Sequence, residues 1–173
     1  VLESVDVLRE LVRLRVNGLV IGLTVTGPYQ ARIIQQALQV RVDGVNPFQV
    51  VQATWNLLER SAATALEEAK AAGWSVIVKE ALANGRLTER GGDEHMTVLR
   101  REAVARGTTI DAFALGTALS QPWADIVLSG AVTIAQLESN VTAVAIEQEP
   151  TGWPDISEAA TEYWSRRSAL VWQ

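Results

Sequence analysis

Cysteine is absent from these 173 residues, which excludes disulfides, thiol catalysis and thiolate metal sites and fits a cytoplasmic protein. Basic clusters are absent as well. The net charge is −5 and no segment concentrates Lys or Arg, so a nucleic-acid partner would find no electrostatic footprint. No apolar run approaches the roughly 18 residues that a membrane span requires, and no signal peptide is visible, so no membrane partner is expected. Histidine occurs once, as His95 in the loop GGDEHM. One His beside Asp93 and Glu94 lacks a complete metal-ligand set, and a solvated loop is the expectation there. Long Pro, Ser and Gln tracts are missing while 48% of the residues are hydrophobic, the composition of one globular domain or a large piece of one. Position 1 is Val, not Met, just ahead of an amphipathic pattern, so the chain is expected to lack its true beginning.

What is present is an alternation. Four short runs rich in Val and Ile, LVIGLTV (residues 19–25), VVQAT (50–54), SVIVK (75–79) and ADIVLS (124–129), predict strands. None alternates apolar with polar, so the expectation is a parallel sheet buried on both faces. Helical patterns lie before and between them: 5–16, then a helix opening at Pro28, a third from Leu58 that ends at Gly73, and two more over 94–106 and 110–120. In these last two, Gly107 ends the first and Thr109 caps the second. A helix from Thr133 and a final one over 156–170 complete the order. Strict alternation calls for parallel pairing through crossovers. A small open sheet of the dinucleotide-binding type would place a Gly-rich fingerprint after the first strand, and none is there. The other home for repeated βα units is the eight-stranded barrel, which needs roughly 250 residues. Four strands make about half of one.

Four stretches carry a resemblance. IGLTV (21–25) resembles the fifth strand of the aldo-keto reductases, and VQATWNLLER (51–60) their sixth. GWSVIVKEALANGRLT (73–88) is similar to their seventh strand with the loop that follows. LSGAVTIAQLESN (128–140) aligns without a gap to their last strand and helix. The resemblance spans about residues 10–145. It implies a (β/α)8 TIM barrel that reduces aldehydes or ketones with a nicotinamide nucleotide, usually NADPH. It further implies that only the second half, strands 5–8 with their helices, is present, so that 1–173 is the C-terminal half of one barrel domain and 150–173 its tail. In the family the catalytic Asp, Tyr, Lys and His come from the first half, so no catalytic residue is assigned here.

Each site residue implied by the resemblance has a plainer structural reading beside it. Gln52, polar within a buried strand, either bonds neighbouring backbone or, as in the family, the nicotinamide carboxamide. Thr24 keeps the hydroxyl that reaches the same group, or is β-branched filler. Val25 stands where the family has an Asn, and one carboxamide contact is expected to be lost. Lys79 replaces a ring that stacks on the nicotinamide. It either pairs with Glu80 or lies near the cofactor, where its charge would disfavour the oxidised, cationic ring. The loop Ala81, Leu82 to Gly85 is either an ordinary turn or a cradle of amides for a pyrophosphate. Thr133 and Gln136 have capping-box spacing, yet the family grips an adenosine 2′-phosphate at this corner, with cations at the positions of Gly130 and Gln136. Both cations are missing. Gly130 and Ala131 match a subset in which backbone and hydroxyls take more of the load, so NADPH is expected and NADH stays open. Asn140 matches an adenine-contacting Asn. Trp153, Trp164 and Trp172 lie where the family closes its substrate pocket, or they pack the last helix.

Two functions remain open. One is the cofactor-binding half of a carbonyl reductase acting on a small-molecule substrate. The other is a non-catalytic half-barrel that binds or regulates, and that dimerises or pairs with a complementary half.

Overall fold

The computed structural model describes residues 2–92, 95–146 and 154–170. At its centre β2 (Val50–Thr54) and β3 (Ser75–Lys79) pair in parallel over their whole lengths, from Val50 opposite Ser75 to Thr54 opposite Lys79. On one flank β1 (Gly22–Thr24) sets Thr24 opposite Gln52, and on the other β4 (Ile126–Val127) sets Ile126 opposite Ile77. The sheet order is β1-β2-β3-β4, all parallel. Helix α1 (Val5–Val16) precedes β1, and α2 (Gln30–Gln39) and α3 (Ala63–Ala71) make the first two crossovers. The third crossover uses two helices, α4 (Met96–Ala105) and α5 (Ile110–Leu119). Then come α6 (Ile134–Val141) and α7 (Ala160–Ser168), with short 3-10 turns at Ala83–Gly85 and Thr142–Ala145. Among the described residues no helix is long and apolar enough to cross a membrane.

The central strands match their apolar runs residue for residue, and the outer two are shorter than their runs. Residues 19–25 yield three paired positions and residues 124–129 yield two. Both are edge strands with a partner on one side only. The expectation of burial on both faces is corrected in the same way. Val51, Ala53, Val76 and Val78 are fully buried against the helices together with Ile34, Leu66 and Ala69, each large side chain contributing about 1.5–3 kcal/mol. The opposite face carries Gly22 and Thr24, exposed, and Gln52, Ile77 and Lys79, half-buried. No described element covers that face, here called the inner face.

Helix starts are set by side chains. Helix α2 begins at Gln30, not at Pro28, because residues 27–29 form a turn in which the Gln30 amide donates to Gly27 O. Likewise α3 begins at Ala63, not Leu58. Asn56 Oδ1 accepts from the amides of Leu58 and Glu59, folding that segment into a turn first. Gly73, at φ +82°, closes α3 as expected, with the Trp74 amide donating to Ala69 O. Thr109 and Thr133 both cap their helices. Helix α7 is shorter than 156–170. Asp93, Glu94, Trp153 and Trp172 fall outside the described residues, as do 150–153 and 171–173 of the expected tail.

Candidate functional site

Side chains on one face of a parallel sheet recur every second residue, so strand register sorts the inner face into rows. The row nearest the strands' amino ends is Gly22, Val50 and Ser75. The next is Thr24, Gln52, Ile77 and Ile126. Beyond it Thr54 lies opposite Lys79. Polarity rises toward the carboxyl edge, the edge at which α/β sheets and barrels hold ligands. Val25 belongs to the other face, 3% exposed in the helix-side core. The sequence reads this position as a lost polar contact, but its side chain packs away from the inner face.

Gln52 finds its partner across the strands. Thr24 Oγ1 donates to Gln52 Oε1 at 3.1 Å. The Gln52 Nε2 hydrogens and the Thr24 oxygen lone pairs form a donor and an acceptor side by side, the complement of a carboxamide. The backbone-bonded core glutamine is not what forms. Gln30 has that role instead. Its amide donates to Thr54 O at 2.8 Å and to Glu59 Oε1 at 3.3 Å, and accepts from the Thr54 amide at 3.1 Å. It completes the end of β2 as a neighbouring strand would.

Lys79 does not pair with Glu80. Its Nζ donates to Thr26 Oγ1 at 2.6 Å, while Glu80 takes Arg167 of α7, Nη2 to Oε1 at 2.6 Å. Burial pushes the Lys79 ammonium below its ordinary pKa; Glu80 opposes the shift and Arg167 adds to it. Glu80 sits at φ +54°, a left-handed backbone that costs a non-glycine residue on the order of 1 kcal/mol or more. Asn56 secures it, with Nδ2 donating to Glu80 O at 2.9 Å and to the Tyr163 hydroxyl at 3.0 Å. Burial raises Tyr163 to about 12, against the bond from Asn56. Helix α7 thus fastens the ends of β2 and β3 through two side chains.

After Glu80 the chain winds tightly. Ala81 is buried, Ala83 and Asn84 are also left-handed, and Gly85 lies at φ +89°. The Ala83 amide donates to Glu80 O, and those of Gly85 and Leu87 to Leu82 O. The turn takes up these amides itself, as the ordinary-turn reading of this loop describes. At the far corner Gly130 (φ +66°) and Ala131 lead into α6. Here the capping box is formed. The Gln136 amide donates to Thr133 Oγ1 at 3.2 Å, and Gln136 Oε1 accepts from Val132 at 2.9 Å and Thr133 at 3.2 Å. Asn140 is 7% exposed, and with its amide turned to satisfy both ends it donates to Asp111 Oδ2 at 3.0 Å and Gln136 O at 3.2 Å. Gln136 and Asn140 therefore hold the corner together from within. No Lys or Arg occurs between residues 128 and 142.

Sequence reasoning misses Gln30, Thr26, Asn56, Tyr163 and Arg167. Asn56 lies inside a quoted motif, so its turn was open to recognition. Tyr163 and Arg167 act on residues more than 80 positions away, and nothing local marks them. His95 takes the N-cap position of α4, and among the described residues no three His, Cys, Asp or Glu side chains gather as metal ligands.

Comparison with known proteins bears on this arrangement. The model of the Aldo/keto reductase family matches residues 1–160. The aldo-keto reductase AKR11C1 from Bacillus halodurans, apo form, superposes with a TM-score of 0.62 at 19% identity, over 97% of this chain and 58% of that one. Its holo form gives 0.60 at 20%, over 99% and 57%. The glycerol dehydrogenase AKR11B4 from Gluconobacter oxydans gives 0.59 at 23%, over 98% and 56%. At such identities the likeness concerns the fold, and this chain spans well under two thirds of those structures' lengths. No curated protein matches.

Proposed function

We propose, from the premise that this chain belongs to the aldo/keto reductase family, that it is the cofactor-binding part of a cytoplasmic enzyme reducing aldehydes or ketones with NADPH, NADH being the alternative donor. Its four strands correspond in this proposal to strands 5–8 of an eight-stranded barrel, residues 1–173 to the second half of one domain, and 150–173 to its tail. The four motifs in order and the uncovered inner face support that assignment.

The observation that carries the proposal is the Thr24–Gln52 pair, whose remaining donor and acceptor fit a carboxamide. A bound nicotinamide nucleotide supplies hydride equivalents to a carbonyl carbon; this chain's residues bind and orient it. Thr24 and Gln52 fix the ring's carboxamide, and the Lys79 ammonium adds positive charge beside it. Main-chain groups of Ala81, Leu82, Gly130 and Ala131 line the phosphate path, with Ser129 and Thr133 hydroxyls nearby. Glu80, Gly85, Gln136 and Asn140 shape the loops that present those groups. Without a cation at the last corner, a 2′-phosphate would be met by neutral donors, which narrows the margin between NADPH and NADH. The catalytic acid and its partners belong in this proposal to the other four strands.

A second reading, a non-catalytic half-barrel completed by another chain or copy, draws on the sheet edges. Leu19 and Val20 precede β1 at 53% and 67% exposure, and Ile126 within β4 and Leu128 just after it are exposed at 50% and 43%; strand edges so furnished invite pairing. Calorimetric titration of the chain with NADPH and NADH separates the two. Saturable heat with either nucleotide supports the cofactor-binding reading, and none with either leaves the half-barrel partner reading.

A further inference from the structure

Toward the carboxyl edge, the inner face carries a charge that no carboxylate pairs directly. Lys79 lies opposite Thr54 on β2, yet its Nζ bonds Thr26, beyond the end of β1. With the strand order β1-β2-β3, the lysine stem must reach across β2 to get there. A threonine hydroxyl steadies an ammonium without supplying a countercharge. Glu80, its neighbour in the chain, is engaged by Arg167, and among the described residues no carboxylate lies within ion-pair distance of Lys79. In the same row Thr54 is fully buried, and its Oγ1 makes no hydrogen bond. A half-buried ammonium with no directly paired carboxylate and an orphaned hydroxyl both cost stability, and both stand at the edge where such sheets bind ligands.

We propose that Lys79, steadied by Thr26, is a cationic subsite for an anionic group, carboxylate or phosphate, on the ligand that lies against the inner face. This deepens the proposed function and rests on it in one respect, that the ligand is the one Thr24 and Gln52 orient. Two residues along a strand is about 6.6 Å, so Lys79 meets whatever lies that far from the carboxamide toward the edge. That group is either a phosphate of the nucleotide or a carboxylate of the carbonyl substrate.

The test is isothermal titration of the intact chain with sodium pyrophosphate, sodium oxalate and NADPH, in wild type, Lys79→Met, Lys79→Gln and Lys79→Arg, each first confirmed folded by circular dichroism. Wild type is expected to bind at least one of the two small anions. Lys79→Met and Lys79→Gln should weaken that binding about tenfold or more, with Lys79→Arg retaining most of it. Loss confined to pyrophosphate assigns the subsite to the nucleotide, and loss confined to oxalate assigns it to a substrate carboxylate. Wild type binding neither anion, or both neutral variants binding as wild type does, overturns the inference. NADPH binding with no anion binding rejects this subsite and leaves the proposed function standing, while anion binding without NADPH does the reverse.

Discussion

Gln30 and Thr54 form a strand pairing with only one strand: the amide of Gln30 gives to the Thr54 carbonyl at 2.8 Å and takes from the Thr54 amide at 3.1 Å. Both residues are fully buried. Gln30→Leu keeps much of the volume and removes both partners, leaving a buried donor and acceptor unsatisfied at about 1–3 kcal/mol each. The variant should lose about 2–6 kcal/mol in urea unfolding with its m-value unchanged. Because the lesion lies at the end of β2, next to Lys79, ligand binding should weaken with it.

Gly22 meets β2 so closely that a Cβ would lie 3.1 Å from Val50 Cβ and 3.2 Å from Val50 O. Gly22→Ala must push β1 outward. The expected cost is about 1 kcal/mol, read by thermal unfolding. The more telling effect is at Thr24, two residues on, where displacement lengthens the bond to Gln52 and should lower nucleotide affinity more than it lowers stability.

Glu59 predicts a pH dependence of definite sign. Burial raises its carboxyl above the usual range, while Ser61 and Gln30 donate to it and hold it down. A carboxyl whose folded pKa exceeds its unfolded one binds protons more tightly when folded. Its contribution therefore weakens the fold as pH rises from the unfolded value through the folded one. Glu59→Gln retains an acceptor oxygen for Ser61 and Gln30 and removes the ionisation. Urea midpoints followed from acid to neutral pH should fall less steeply in the variant, which should be the more stable of the two at neutral pH. A variant whose pH profile parallels wild type would contradict this.

Tyr163, raised to about 12 by burial, should appear in an ultraviolet titration as a late phenolate step. Tyr163→Phe should abolish that step and cost about 0.5–1.5 kcal/mol. Since Asn56 still holds Glu80 O, the loop after β3 should stay in place. Arg167→Met, which frees the Glu80 carboxylate, should instead raise amide exchange across residues 80–85, where three of the five non-glycine residues are left-handed.

Much of this architecture is written in short-range pattern. VVQAT and SVIVK form strands with the bounds their apolar runs suggest, because the two pair with each other at every residue. LVIGLTV and ADIVLS promise more strand than forms, since each lies at an edge and pairs on one side at only three and two positions. The cap at Thr133 was legible from Gln136 three residues on, and the start of α3 was misplaced because Asn56 turns the chain first. In the site, Thr24 and Gln52 could be nominated separately, but their bond follows from register, which no single strand encodes. Lys79 was legible as an oddity, and its true partner, Thr26, was not. Neither was the removal of Glu80 by Arg167, which depends on where α7 docks.

The measurement that bears most directly on the cofactor proposal is a double-mutant cycle on Thr24 and Gln52, with NADPH affinity read by calorimetry. Thr24→Val and Gln52→Leu should each weaken binding about tenfold, and the double variant should be little worse than either alone, because the two side chains act as one carboxamide receptor. Affinities unchanged in both single variants would show that the pair serves the sheet and not a nicotinamide.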